Sequence, residues 1–369
     1  MVNLFFYGTL RHHQLLEIVL GRSVATLNIS DVSLSNYIVM AVAEGPFPMI
    51  SASPGSYVTG TIVRGLSEHE IARLTYYEAG FDYDLLPVKL VNGEEAKIYF
   101  PTTGAWTPDG PWDLSDWMFK WGQITCLAAS EVMDGFGTIP SSQVAQWFGR
   151  IRARAASTIN AQSSKHGTGT LNGRFEILER CRPYSKFFAV DDIKLCHETF
   201  SGDMTPPLQR AVFVASDAAV VLPYDPIEDR VLLVEQIRIG PIGRKDPVVW
   251  QMEPVAGVID PGETAEEAAH REAFEEAGLH FNQLESAGEC YASPGSSTDF
   301  FYLFVGLCHL PENLSNIGGC DYENEDIRSH IMAYSDLLAM AEASETASAP
   351  LTLLTYWLAH HRERLRRLL

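Results

Sequence analysis

The chain has 369 residues, of which 46% are hydrophobic, so it is long enough for two domains that each bury a core. A formal net charge of −20 argues against a nucleic acid as partner, because an acidic surface repels phosphates. The six cysteines show no C-x-x-C spacing, which indicates free thiols in a reducing compartment. The chain has no run of about 18 apolar residues, and its apolar opening Val2–Tyr7 is too short for a signal peptide, so we expect a cytoplasmic protein with no membrane partner.

The first part of the chain mixes short strands with helical patterns. The apolar run Val2–Tyr7 predicts a strand that turns at Gly8 into a helical pattern. Ser67 and Glu70 form a capping box, which predicts a helix beginning there. Further strands are predicted at residues 56–63, 86–91 and 96–99. Interleaved tryptophans among helix-favouring residues predict a helical extension whose aromatic rings belong to the core: Trp112, Trp117, Trp121 and Trp147.

A polar segment separates this part from the rest. Residues 156–172 are rich in Ser, Thr, Gly and Asn and lack periodicity, which predicts a linker. The second part alternates strands and helices, with strands at 218–222, 231–236, 285–291 and 300–307 and helices at 334–345 and 351–369. We therefore expect a first domain at 1–105, a helical extension at 106–155, the linker, and a second domain at 173–369.

The most informative stretch is 257–279, GVIDPGETAEEAAHREAFEEAGL. Thr264 and Glu267 form a capping box, so a helix should begin near Ala265, and Gly278 suits its left-handed end. Three glutamates then share one helical face and repel one another: Glu272, Glu275 and Glu276. A hard divalent cation would offset that repulsion better than an arginine alone. The alternative is a solvated acidic face.

The same stretch matches the Nudix box, G-x5-E-x7-R-E-U-x-E-E-x-G-U with U apolar, in all seven of its fixed positions. Beyond the box, residues 210–330 resemble the ADP-ribose and ADP-sugar pyrophosphatase branch of that family. This resemblance rests on LPYDPIEDRVLLVEQIRIG, on EPVAGVID before the box, on Pro294 fifteen residues after Leu279, and on ENEDIR. It implies a Nudix α/β/α sandwich with a mixed sheet.

The resemblance also implies a site and a reaction. Glu272, Glu276 and Glu275 would bind two or three Mg²⁺ ions, for which Mn²⁺ could substitute, with the carbonyl of Ala256 as a further ligand. Glu325 would act as general base, with Glu323 as the competing candidate. Water would cleave the diphosphate of ADP-ribose to AMP and ribose 5-phosphate, although another nucleoside-diphosphate sugar stays open as substrate.

Further residues have supporting roles under this resemblance. Arg271 would hold the glutamate cluster, and Glu263 would stabilise the loop rather than bind metal. Three residues would contact the substrate or, equally well, form surface ion pairs: Arg210, Arg238 and Glu253. Members of the branch often form dimers, which implies a homodimer through the Nudix domain.

Residues 1–100 resemble the γ-glutamylcyclotransferase-like (AIG2-like) family. The matching segments are FYGTLR at 6–11, GTIVRGLSEHEIARLTYYE at 60–78 and the following FDYDLLPVKL. The resemblance implies a β-barrel domain, and an α+β or α/β protein overall. It implies a cradle for the ligand, formed by Tyr7, Gly8, Thr9 and Leu10, and a catalytic carboxylate at Glu78. The alternative is a module that binds a γ-glutamyl metabolite without turnover, or that serves dimerisation.

Overall fold

The computed structural model describes residues 1–81, 83–163, 167, 169–311, 317–319 and 325–367. The chain divides into two compact units, Met1–Ser164 and Lys165–Leu369. Across the described residues, no helix combines the length and apolarity that crossing a membrane would require.

The first unit combines a sheet with helices. Its strands are β1 (Val2–Phe6), β2 (Asn28–Val42), β3 (Gly45–Leu66), β4 (Tyr83–Lys89), β5 (Glu95–Pro101) and β6 (Pro108–Pro111). Its α-helices are α1 (His13–Leu20), α2 (Glu68–Glu78), α3 (Leu114–Trp117), α4 (Gln123–Asp134) and α5 (Ser141–Ser163). Short helical turns lie at Thr9–Arg11, Val24–Thr26 and Met118–Gly122.

The strands expected to form a barrel lie in one mixed sheet of order β4-β5-β1-β3-β2-β6. The β1–β5 pair is parallel and the other pairs are antiparallel. One face of β1 packs Leu4 and Phe6 against α1, α2 and α4, and the other face packs Phe5 and Tyr7 against neighbouring strands. The α+β class expected for this unit is confirmed.

Two helices show how local sequence positions the elements. The capping box predicted for α2 is present, with Ser67 accepting from the Glu70 N–H and the Glu70 carboxylate accepting from the Ser67 N–H. Helix α5 continues to Ser163, so residues 156–163 of the segment predicted as a linker are helical. The helix continues because Ala155 and Ala156 are buried, a packing contribution that the polar composition of the segment hid. The predicted domain boundaries stay a prediction.

The second unit holds two sheets. A three-stranded antiparallel sheet consists of β7 (Phe175–Ser185), β8 (Ala189–His197) and β9 (Leu208–Val214), none of which was predicted. The larger sheet has strand order β14-β15-β10-β11-β17-β16, with β12 on β11 and β13 on β10. Its strands are β10 (Asp217–Asp225), β11 (Arg230–Ile237), β12 (Trp250–Glu253), β13 (Val255–Val258), β14 (Gln283–Tyr291), β15 (Phe300–Leu307), β16 (Ile317–Gly318) and β17 (Ile327–Ala333).

Helices cover both faces of the larger sheet. The α-helices of this unit are α6 (Ile239–Arg244), α7 (Ala265–Ala277), α8 (Tyr334–Glu342) and α9 (Ala349–Arg366). Alternate residues of β11 point to opposite faces, so Leu232 and Val234 pack on α7 while Val231 and Leu233 pack on α8 and α9. This arrangement confirms the expected α/β/α sandwich with a mixed sheet.

Candidate active site

The acidic helix α7 begins and ends as its sequence predicts. Thr264 accepts from the Glu267 N–H and the Glu267 carboxylate accepts from the Thr264 N–H, which completes the capping box. Gly278 ends the helix at φ 64°, in the left-handed region that glycine tolerates best. The buried alanines of α7 pack on the sheet, so the helix is fixed in rotation: Ala268, Ala269, Ala273 and Ala277.

Arg271 organises the carboxylates around α7. Its guanidinium donates to both carboxylate oxygens of Glu263 at 2.9 Å, to Glu272 at 2.6 Å and to Glu275 at 3.1 Å. It also donates to the carbonyl oxygen of Val258 at 3.0 Å, which ties α7 to β13. The hydrogen bonds that Arg271 donates to the Glu263 carboxylate are the main reason why the Arg271 pKa is raised above its ordinary value. The predicted holding role of Arg271 therefore has a direct geometric basis.

Glu272 lies against the loop that precedes the helix. A Cβ on Gly257 would fall 1.8 Å from Glu272 Oε1, so only glycine leaves room for this carboxylate. Burial raises the Glu272 pKa to about 7, and the charges of Glu275 and Glu325 raise it while Arg271 lowers it.

Glu276 is the most buried of the helix glutamates, with 2% of its surface exposed. Burial raises its pKa well above the ordinary value, and the charges of Glu272 and Glu325 raise it further. The Ala256 N–H donates to Glu276 Oε2 at 3.3 Å. Glu276 and the Ala256 backbone are therefore adjacent.

Glu325 also belongs to this cluster, because its charge acts on both Glu272 and Glu276. It follows β16, where Gly319 has a φ of 103° and a Cβ would lie 3.0 Å from Glu325 Cβ. Its competitor Glu323 lies outside the described residues.

The types of oxygen atom in this cluster suit a hard divalent cation. Carboxylates and backbone carbonyls are the oxygen ligands that Mg²⁺ prefers, and one arginine faces several glutamates. Within the described ranges, however, no three acidic, histidine or cysteine side chains are arranged to hold a metal ion. Arg271 donates hydrogen bonds to Glu272 and Glu275, so these two carboxylates face its guanidinium. The residue types therefore suit a divalent cation, and their side chains are arranged around Arg271.

The predicted substrate residues are only partly brought together. Arg238, the residue after β11, forms an ion pair with Glu253 of β12, and the Arg238 charge reaches Glu276. Arg210 lies exposed on β9 in the smaller sheet, where its guanidinium donates to the Gln209 carbonyl. Pro294 is exposed in the loop between β14 and β15.

A separate pocket of about 440 Å³, including its open mouth, lies in the first unit. The four predicted cradle residues line it together with Glu78: Tyr7, Gly8, Thr9 and Leu10. The chain turns here because β1 ends and a helical turn follows, with the Arg11 N–H donating to the Gly8 carbonyl at 3.1 Å. Glu78 ends α2, is 9% exposed, and has its pKa raised to about 8 by burial.

Sequence reasoning missed the aromatic lining of this pocket. Phe47, Phe81, Tyr83 and Tyr99 surround the cradle and Glu78. The Tyr83 hydroxyl donates to the Pro48 carbonyl at 2.8 Å. Burial raises the Tyr7 pKa, and the charges of Tyr83 and Glu78 raise it further. The two prolines of G-P-F-P at 45–48 were the available signal, since prolines in a strand mark an irregularity.

The chain matches two known protein families. The NUDIX domain family matches residues 215–352, and the family described as gamma-glutamyl cyclotransferase, AIG2-like, matches residues 4–117. The ADP-ribose pyrophosphatase of Escherichia coli strain K12 is 36% identical over 191 residues, which cover 52% of this chain and 90% of the relative. The ADP-ribose pyrophosphatase of Haemophilus influenzae is 35% identical over 161 residues, which cover 42% of this chain and 73% of the relative.

A GDP-mannose pyrophosphatase of Yersinia enterocolitica is more distant. It is 28% identical over 131 residues, which cover 36% of this chain and 67% of the relative. The chain belongs to the Nudix family and is a Nudix pyrophosphohydrolase, with a gamma-glutamyl cyclotransferase, AIG2-like domain in its N-terminal part.

Proposed function

We propose that the second unit hydrolyses the diphosphate of ADP-ribose or a related ADP-sugar to AMP and a sugar phosphate, which for ADP-ribose is ribose 5-phosphate. The observation that carries this proposal is the glutamate cluster of α7, gathered by Arg271 over the Gly257 loop. Its substrate class is supported by the ADP-ribose pyrophosphatases that match this chain over most of their own length. A cytosolic location is supported by the described cysteines, which are all free.

Glu272 and Glu276 would hold Mg²⁺, two or three ions in all, with Glu275 and the Ala256 carbonyl as further ligands; Mn²⁺ could replace it. When bound there, the cation supplies neutralisation of the diphosphate charge and a lowered pKa for water. Arg271 keeps Glu272 and Glu275 oriented, since it donates to both. Burial of Glu276 supports the assignment, because a buried carboxylate needs a compensating positive charge.

Glu325 would orient the attacking water and accept its proton. The water oxygen forms a bond to one phosphorus, and the bond from that phosphorus to the bridging oxygen breaks, so the second phosphate group leaves. Support comes from the charge of Glu325, which acts on the two glutamates of α7. Glu323 is the competing base.

Arg238, just after β11, and Glu253 of β12 would contact the substrate. Their ion pair is accessible, with 38% of the Arg238 side chain and 20% of the Glu253 side chain exposed. Arg238 could therefore donate to a phosphate while Glu253 accepts from a ribose hydroxyl. Arg210 and Pro294 are the further candidates, and both are exposed.

A substrate panel tests this proposal. Release of AMP, GMP and UMP would be measured from ADP-ribose, ADP-glucose, NADH, GDP-mannose and UDP-glucose, with Mg²⁺ and with a chelator. Fast Mg²⁺-dependent cleavage confined to ADP-ribose and ADP-sugars is expected. Preferred cleavage of GDP-mannose or UDP-glucose would instead identify another nucleoside-diphosphate sugar as the substrate. The Yersinia relative, a GDP-mannose pyrophosphatase, represents this alternative.

The general base needs its own pair of variants. Glu325→Gln should slow turnover and leave Mg²⁺ binding, measured by calorimetry, largely in place. Glu323→Gln is the matched control, because it changes the same charge two residues away. If Glu323→Gln is the damaging change, Glu325 is misassigned.

A homodimer through the second unit is part of the proposal. The three-stranded sheet of β7, β8 and β9, with the loop after β8, exposes apolar side chains, including Phe175 at 69% and Phe200 at 90%. Exposed apolar patches of this kind mark interaction surfaces. Sedimentation of the whole chain should give a dimer, and Phe175→Glu should shift it towards a monomer. A monomeric wild-type chain would remove this part of the proposal.

The first unit supports a second candidate function, the binding or cyclisation of a γ-glutamyl compound. The observation is Glu78, the one carboxyl among the described residues that line a largely aromatic pocket beside the Gly8 turn. In cyclisation the α-amino nitrogen of the ligand attacks its own γ-carbonyl carbon, the bond to the amine part breaks, and Glu78 moves the proton between the two nitrogens. The products are 5-oxoproline and the free amine.

Release of 5-oxoproline separates the enzyme from a sensor. Turnover that Glu78→Gln abolishes would identify an enzyme. Binding without turnover, in both wild type and Glu78→Gln, would identify a module that only binds the metabolite.

A further inference from the structure

The described residues that line the pocket of the first unit carry almost no charge. Of the twelve residues that line it, Glu78 alone is charged, and no lysine, arginine or histidine is among these described residues. The remaining polar groups are tyrosine hydroxyls, Thr9 and the backbone of the Gly8 turn. A γ-glutamyl head carries one ammonium and one carboxylate. Glu78 can meet the ammonium, and the N–H groups of the turn can meet the carboxylate.

Phe47 forms one wall of the pocket, and the side chains that pack on it are aromatic. Phe47 packs edge to face on Phe81 with ring centroids 5.1 Å apart, and on Trp106 at 4.8 Å. The Trp106 indole donates to the Phe81 carbonyl at 2.9 Å, so the three rings hold one another. The amine part of a γ-glutamyl ligand would therefore lie against aromatic surface.

The backbone also fixes this wall. The register of β2 and β3 shifts between Ala41–Pro48 and Val42–Gly45, so a bulge carries Phe47. The Trp117 indole donates to the Pro46 carbonyl at 2.6 Å. Pro48 packs on Gly8, where a Cβ would fall 2.7 Å from the Pro48 ring. The wall is thus attached directly to the cradle and cannot easily move away from a ligand.

We propose that this pocket selects γ-glutamyl amides whose amine part is uncharged and apolar, and that Phe47 is the residue that imposes the selection. The proposal rests on the γ-glutamyl function proposed for the first unit. A second carboxylate, as in a γ-glutamyl peptide, would lose its hydration beside Phe47 and Phe81 with no cation to pair with it. An apolar group gains from burial at the same place.

Three matched ligands test the selection in the whole chain: γ-glutamyl-isopentylamide, γ-glutamyl-leucine, which adds a carboxylate, and the γ-glutamyl amide of 1,4-diaminobutane, which adds an ammonium. Dissociation constants by calorimetry and 5-oxoproline release would be measured for each. The isopentylamide should bind at least about 10-fold more tightly than the leucine compound, as expected when burying an unpaired charge outweighs equal apolar contact. Preference for the leucine or the diaminobutane compound would overturn the proposal.

Variants of Phe47 show whether this residue is responsible. Phe47→Arg should reduce or reverse the preference over γ-glutamyl-leucine, because it supplies the missing cation, whereas Phe47→Leu should keep it. Phe47→Ala, a smaller change in a half-buried position, should lower the preference even if Phe47→Arg does not fold. An unchanged ratio in folded Phe47→Arg or Phe47→Ala would refute the role of Phe47. If wild type binds none of the three ligands, the γ-glutamyl function itself fails and the selection with it.

Discussion

Replacing Glu78 by glutamine should remove a pH dependence of stability that its burial creates. The carboxyl is 9% exposed and its pKa is raised from 4.5 to about 8, chiefly because burial disfavours the charged form. The folded chain therefore holds this proton at pH values where the unfolded chain has lost it. By linkage, the contribution favours the folded state at low pH and declines as pH rises from about 4.5 to about 8.

The size of the effect follows from the two pKa values. Full ionisation costs the folded state about 5 kcal/mol, from the difference between 4.5 and about 8 at about 1.36 kcal/mol per pKa unit. Part of this cost has already appeared at pH 6, since the unfolded chain is ionised there. Between pH 6 and pH 9 the remaining loss is about 2 to 3 kcal/mol. Glutamine has nearly the same shape and cannot ionise, so the variant should lack this loss.

Urea unfolding at pH 6 and pH 9 measures the effect in the whole chain. Five of the seven tryptophans lie in the first unit, so their fluorescence reports mainly on the unit that contains Glu78. The quantity of interest is the free energy of unfolding of the variant minus that of wild type, in which all other titrating groups cancel. This difference should increase by about 2 to 3 kcal/mol from pH 6 to pH 9. A difference that stays constant within about 0.5 kcal/mol would refute the reasoning.

Three further predictions concern the second unit. Glu276→Gln should lower kcat on the order of 100-fold or more while the melting temperature without Mg²⁺ does not fall below that of wild type, because glutamine fills the same buried space without a charge for the metal. Near-wild-type turnover would discard the metal assignment. Gly257→Ala should weaken Mg²⁺ binding about 10-fold or more in calorimetry, because the added Cβ would lie 1.8 Å from Glu272. Gly243→Ala is the control that should bind Mg²⁺ normally, because a Cβ at Gly243 has open space around it. Mg²⁺ at about 100 times its dissociation constant should stabilise the second unit by about 2.7 kcal/mol in urea unfolding, and an unchanged transition would argue against a metal site.

Local sequence was sufficient for the elements with strong caps and periodicity. The capping boxes of α2 and α7, and the glycine at the end of α7, were predicted from single residues because each satisfies a specific backbone group. The strand at residues 300–307 was predicted at its observed bounds, because a buried strand is continuously apolar. The i, i+3, i+4 spacing also predicted that Glu272, Glu275 and Glu276 would share one face of α7.

Features that depend on contacts distant in sequence were not predictable in the same way. The sheet of β7, β8 and β9 escaped prediction because its strands expose many side chains and lack a clean alternation, as the largely exposed β7 shows. The aromatic wall of the first pocket joins Phe47, Phe81 and Trp106, which no local pattern links. The ion pair of Arg238 with Glu253 likewise depends on the pairing of β11 with β12.

Buried glutamates at the two sites have different surroundings, and this difference suggests how each site uses its carboxyl groups. Around α7 the charges of neighbouring carboxylates raise the pKa of Glu272 and of Glu276, and Arg271 donates to Glu272 and Glu275, so the charges there remain underneutralised until a cation is added. Glu78 instead lies among aromatic rings, where the protonated form is the stable one, and it is the one carboxyl among the described residues that line the pocket. A cluster of the first kind attracts a metal ion and an anionic diphosphate with it. A single carboxyl of the second kind is suited to exchanging a proton with a ligand amine, and a metal ion would find too few oxygens there. The acidic character of the chain therefore does not conflict with an anionic substrate at one site and an amine ligand at the other.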